Sequence, residues 1–109
     1  MTRDLEPEEY LRYAIGKAVQ VCKARGWGRD WKEVGTYLHL EASEFTESLR
    51  GKGGHSSERE AAHILFVLFS AMGEHDVDVY EVWRILNQGL YDGWEAVEDK
   101  MAAEEHEQT

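Results

Sequence analysis

Residues 63 to 72 read HILFVLFSAM, and no other stretch constrains the fold as strongly. Laid on a helix at about 100° per residue, Ile64, Val67 and Ala71 fall on one side, with Leu65, Phe69 and Met72 opposite. A helix that is apolar almost all round has to be covered on several faces. A chain of 109 residues has few elements with which to cover it. The expectation is neighbours on both sides and an interface between copies of the chain, a homodimer or a homotetramer. The segment is too short to span a bilayer, so no membrane is expected.

The rest of the chain carries helical periodicity with clear punctuation. Pro7 suits a first turn, and Leu11, Ala14, Ile15, Ala18 and Cys22 recur at helical spacing until Gly26 and Gly28 end the run. Asp30 and Glu33 form a capping-box pattern before the stripe Trp31, Val34, Leu38, Ala42, Phe45 and Leu49, which GKGG at 51 to 54 breaks. Ser57 and Glu60 repeat that pattern before the apolar helix, which runs to about Met72. After the turn GEHDVD, Asp78 and Glu81 open a fourth helix with Val79, Val82, Trp83, Leu86, Leu90, Trp94 and Val97 on one stripe. No alternating strand pattern appears, and the short connections favour antiparallel neighbours. The expected fold is all-α, a four-helix bundle in one domain over residues 1–101, followed by a disordered acidic tail over 102–109.

Composition narrows the function classes. With 22 acidic against 12 basic residues and a formal charge of -10, the chain has no basic stripe to displace counterions from a nucleic acid polymer. A free nucleotide held through a cation remains compatible with that charge. The single cysteine, Cys22, excludes an intramolecular disulfide and a cysteine-based zinc site within one chain. MTRDLEPEEY lacks the basic-then-apolar pattern of a secretion signal, and the expected location is cytoplasmic.

Against this background the acidic residues beside the apolar helix stand out. Glu41 and Glu44 lie three apart and project from one side of the second helix, while Glu47 points towards water. On the third helix Glu60 is in line with Ile64 and Val67, with His63 one step round on the same flank. Two facing pairs of this kind could hold a divalent cation, which takes several carboxylate oxygens. Without a cation or protons, such closely set carboxylates would repel each other and lose hydration. The plainer alternative makes Glu60 the capping partner of Ser57, the Glu41 and Glu44 pair a solvated face, and His63 an ordinary satisfied side chain. Periodicity does not choose between the two.

The order of these features adds an argument. LHLEASEFTESL followed by EREAAHILFVLFSAMGEHDVDVYEV resembles the MazG-like family of all-α nucleoside triphosphate pyrophosphohydrolases, whose signature is E-x-x-E on one helix and E-x-x-D on the next. The likeness extends from about Trp31 to Tyr91. It implies a bundle whose helices pack across a homo-oligomer interface. It also implies that Glu41, Glu44 and Glu60 hold Mg2+, one of them through water or as the base, while a nucleoside or deoxynucleoside triphosphate is split into monophosphate and pyrophosphate. By the same resemblance Asn87 lies near the nucleotide, and Trp31 and Trp27 stack on the base.

The chain departs from the family pattern in two places. His63 stands where the second motif has aspartate, and imidazole suits manganese, zinc or nickel better than magnesium, so the change either retunes the metal towards Mn2+ or abolishes the site. Trp83 stands where the family commonly has lysine, with Arg84 adjacent as a substitute for binding substrate. Arg50, Lys52 and the GKGG loop are further candidates for phosphate contacts. The alternative function is a MazG-like bundle without catalysis, acting as a nucleotide-binding or protein-interaction module.

Overall fold

The computed structural model describes residues 6–93 together with Glu104. The described residues form four helices and no strand: α1 (Pro7–Arg25), α2 (Trp31–Leu49), α3 (Ser57–Glu74) and α4 (Val79–Tyr91). They divide into two compact units, one ending at Val77 and the other beginning at Asp78.

Each helix start has a local chemical cause. Pro7 occupies the first turn of α1, and Glu6 and Glu9 form a reciprocal capping box. At α2 the Asp30 carboxylate accepts from the Glu33 amide at 2.8 Å, as the sequence pattern predicts. The cap of α3 is Ser56, not Ser57: its Oγ accepts from the Arg59 amide at 3.2 Å. Because Ser56 takes the cap, Ser57 is freed to hydrogen-bond Ser48 across the hairpin, and Glu60 has no capping role. The capping alternative for Glu60 is thereby removed.

Within the first unit α3 packs along both α1 and α2. The α1 contact is apolar and close. Ala18 and Cys22 of α1 and Val67 of α3 are buried, and Gly73 lets the backbones approach. A Cβ on Gly73 would collide with Val19 Cγ2 and sit 3.0 Å from Ile15 Cγ2. Within one chain the cover of α3 is partial, since Leu65 and Leu68 remain 49% and 38% exposed; the expectation that a second copy covers the rest belongs to the proposed oligomer. No residue of α2 is buried: Val34, Leu38 and Phe45 of its stripe are half-buried, while Trp31, Ala42 and Leu49 are exposed. The physical reason is that α2 makes its extensive helix contact in this unit with α3, so only one flank of its stripe is covered.

Arg29 ties the α1–α2 connection to α3. Its guanidinium is buried, donates from Nε to Ser70 Oγ at 2.7 Å and from Nη1 to the Gly28 carbonyl at 2.8 Å, and lies over the rings of Tyr37 and Phe66. Ser70 in turn donates to the Val67 carbonyl, and His75 Nε2 donates to the Arg29 carbonyl at 2.6 Å. Hydrogen bonds and ring faces here do the work that a carboxylate does for most buried cations.

In the second unit α4 is capped by Asp78, which accepts from the amides of Tyr80 and Glu81. Glu81 pairs with Arg84 one turn on, which holds its carboxyl below the usual range and the guanidinium above its own. The expected stripe residues Trp94 and Val97 lie outside the described residues, as does the proposed disordered tail apart from Glu104. No helix among the described residues is long and apolar enough to cross a membrane.

Candidate metal centre

The α2–α3 hairpin decides which side chains meet. Its stem is closed by the Ser48 to Ser57 hydrogen bond at 3.0 Å. Moving away from the loop one turn at a time on both helices reaches Glu44 with Glu60, then Glu41 with His63. Two motifs each spaced by three residues thus become one cluster, because antiparallel helices present matching turns to each other.

Ligand atoms from Glu41, Glu44, Glu60 and His63 all lie within 4.8 Å of one another. His63 Nδ1 is 3.3 Å from Glu41 Oε2 and 3.8 Å from Glu60 Oε2. Glu60 is only 2% exposed and Glu41 is half-buried, and the Oε2 atom of each is buried without a hydrogen-bond donor aligned on it. A buried carboxylate oxygen without an aligned donor is costly, and two of them lie here on facing turns with the Glu44 carboxylate beside them. Glu44, at the exposed edge, feels the same crowding: partial desolvation, then the neighbouring Glu41 and Glu60 carboxylates, hold its carboxyl above the usual value.

The donor set fits a divalent cation. Such an ion, with bonds of about 2.0–2.6 Å to oxygen and nitrogen, holds its ligands a few ångströms apart. The observed spread already approaches that. Three carboxylates also supply the negative charge that a dication offsets, and the two orphaned oxygens are the atoms that most need a positive partner.

The cluster forms one wall of a cavity of about 510 Å³ that the α2–α3 loop completes. Lys52, Gly53, Gly54 and His55 of the loop line it together with the acids, as do Ser43, Glu47 and Ser48. Gly51 and Gly53 have φ of 75° and 81°, left-handed values that let the loop turn without a Cβ penalty. Arg50 is engaged with Glu47 at 3.1 Å, which leaves Lys52 as the lysine on this wall. Glu47, expected to face water, reaches the cavity edge.

Sequence reasoning did not single out His55, Ser43 or Ser48. The available signal was the hairpin register itself, since residues flanking a tight α–α connection must sit beside the last turn of one helix and the first of the next. Trp27 and Trp31 do not line this cavity. Trp27 stacks edge-on against Phe66 with Arg25 over its ring, and Trp31 is 75% exposed with Lys32 over its ring. Arg84 and Asn87 belong to α4 in the second unit.

Compared with family models, with curated proteins and with solved structures, the chain finds no match.

Proposed function

We propose that the protein is a cation-dependent pyrophosphohydrolase of MazG-like type that cleaves nucleoside or deoxynucleoside triphosphates to the monophosphate and pyrophosphate. The observation that carries this reading is the pair of buried, donorless carboxylate oxygens on Glu41 and Glu60, set among Glu44 and His63 at the wall of an open cavity. A protein bears such a cost most readily where a ligand relieves it.

In this reading Glu41, Glu44, Glu60 and His63 hold the ion. The cation supplies charge neutralisation of the phosphate oxygens and a lowered pKa for water. Glu44, the one exposed carboxylate of the cluster, stands at the cavity edge, and in this reading it holds the ion through water and takes the proton of the water that adds across the anhydride. Lys52, which lines the same cavity from the loop, meets the polyphosphate oxygens. Trp27, Trp31, Arg84 and Asn87 are proposed nucleotide contacts by resemblance. The proposed setting is the cytoplasm.

A homodimer or homotetramer belongs to the same proposal. What supports it is the apolar surface of the first unit: a groove of about 370 Å³ between α1 and α3 is lined by Ala14, Val21, Leu65, Phe66 and Phe69. Analytical ultracentrifugation gives the mass directly, and a monomer at micromolar concentration would remove that part.

The deciding assay incubates the purified chain with each common nucleoside and deoxynucleoside triphosphate in Mg2+ and in Mn2+, with products followed by phosphorus NMR. Release of pyrophosphate, lost in Glu41→Gln and Glu60→Gln with helicity retained, is expected. Absence of turnover with every substrate, or full activity in both variants, would overturn the enzyme and favour a bundle that binds without catalysis.

A further inference from the structure

We infer that His63 makes the cluster a mixed nitrogen and oxygen site, selective for a first-row transition ion such as Mn2+ or Zn2+ over Mg2+. The inference stands on the cluster being a cation site, as proposed above, and is independent of what the site hydrolyses.

The argument begins with which ring atom faces inward. It is Nδ1, 3.3 Å from Glu41 Oε2 and 3.8 Å from Glu60 Oε2, the same two oxygens that have no aligned donor. A neutral imidazole carries a lone pair on one nitrogen and a proton on the other. With Nδ1 turned to the cluster and the side chain 42% exposed, Nε2–H is left to water or the cavity rim. The ring can therefore offer its Nδ1 lone pair inward without burying a second polar group.

A second observation points to a ligand at this place. Glu60 is 2% exposed and ends in an oxygen that no donor in the described residues satisfies. A histidine serving only as a protonated counter-ion would align an N–H on one of these oxygens. Nδ1 lies at ion-pair distance from Glu41 Oε2, 3.3 Å, and 3.8 Å from Glu60 Oε2, yet it is aligned as a hydrogen-bond donor on neither. A position between Nδ1 and the two oxygens suits an atom that all three can bind.

The chemistry of the donors then selects the ion. Mg2+ demands near-ideal octahedral oxygen coordination and keeps much of its water, gaining little from imidazole. Manganese, iron, cobalt and zinc accept imidazole nitrogen beside carboxylate, with affinity rising along the series to copper. Three carboxylates keep the site hard enough for Mn2+, while one nitrogen is enough to separate these ions from magnesium.

The test uses the full chain stripped of metal, titrated calorimetrically with Mg2+, Mn2+ and Zn2+, alongside His63→Asp and His63→Gln. The Mn2+ complex is examined by pulsed electron paramagnetic resonance for coupling to a histidine nitrogen. The expected result is nitrogen coupling in the native chain that disappears in His63→Gln, and a Mn2+ to Mg2+ affinity ratio that falls at least about tenfold in His63→Asp. Binding of Mn2+ without nitrogen coupling, or an unchanged ratio in His63→Asp, would overturn the nitrogen ligand and leave the cation site standing. No binding of any of the three ions would overturn both. The coupling measurement needs only the native chain, so a poorly folding variant does not remove the test.

Discussion

Helix α3 has two working faces, and they are built on opposite principles. Towards α1 it offers Val67, Phe69 and the bare backbone of Gly73, packed closely enough that a single Cβ would collide with Val19. Towards α2 it offers Glu60 and His63, which meet Glu41 and Glu44 in an arrangement that repels itself. One face lowers the free energy of the fold by excluding water from apolar surface. The other sets like charges side by side, a cost that the proposed cation would offset. The contrast teaches that one helix can carry a stabilising face and a self-repelling face side by side, and the proposed function lies with the second.

Breaking the polar face should give the largest effect. Glu60→Gln is expected to weaken cation binding by at least about a hundredfold, beyond the 10–100-fold typical of outer partners, and to remove hydrolysis with it. In the metal-free protein the same change should leave the melting temperature unchanged or raise it, since it takes away a buried charge. Calorimetric titration and thermal unfolding read the two outcomes, and a large loss of metal-free stability would erase the contrast between the faces.

On the apolar face Gly73→Ala should cost about 1–3 kcal/mol through overpacking against Val19 and Ile15. Cation affinity of the remaining folded protein should stay as it was. Denaturant unfolding with and without Mn2+ separates these quantities. Equal damage to both would mean that the two faces are mechanically coupled.

Ser70 sits where the two faces adjoin. Ser70→Ala removes the acceptor of Arg29 Nε in a buried setting, and about 1–3 kcal/mol is expected from the unsatisfied donor. The Arg29 contacts with Tyr37 and Phe66 should keep the guanidinium in place, so chemical denaturation should shift while the circular dichroism spectrum does not.

The smallest effect concerns pH. Glu44 has its folded value above the ordinary 4.5, so between those two values the folded chain binds more protons than the unfolded one. The contribution of Glu44 to the stability of the metal-free protein then falls as pH rises from 4.5 through the raised value. Glu44→Gln should flatten that decline, and saturating cation should do the same in the native chain. A series of melting curves of both chains across the acid range checks the sign, and a native-minus-variant difference that rises with pH in that window would contradict it.

Much of this was legible in the sequence. Pro7, Asp30 and Asp78 announce their helices because capping is local chemistry that neighbouring residues settle among themselves. The pairing of Glu41 and Glu44 with Glu60 and His63 was legible for a related reason, since a short connection fixes which turns of α2 and α3 meet. The choice of Ser56 over Ser57 was not, because two adjacent serines can both cap and the cross-hairpin bond to Ser48 breaks the tie. Nor was the burial of Arg29, whose partners Ser70 and Phe66 are remote in sequence. The openness of α2 was also hidden, since a stripe states which residues are apolar and not how many neighbours arrive to cover them.

Every group in the cluster comes from the chain between Glu41 and His63, joined by one tight loop. Closing a local hairpin of this kind is among the faster events in folding, since little loop entropy opposes it. The centre would therefore exist as soon as α2 and α3 meet, before α1 needs to dock. If the proposed cation binds there, it would act as a latch on the hairpin, and cation supply would govern how long a newly made chain keeps these two helices together.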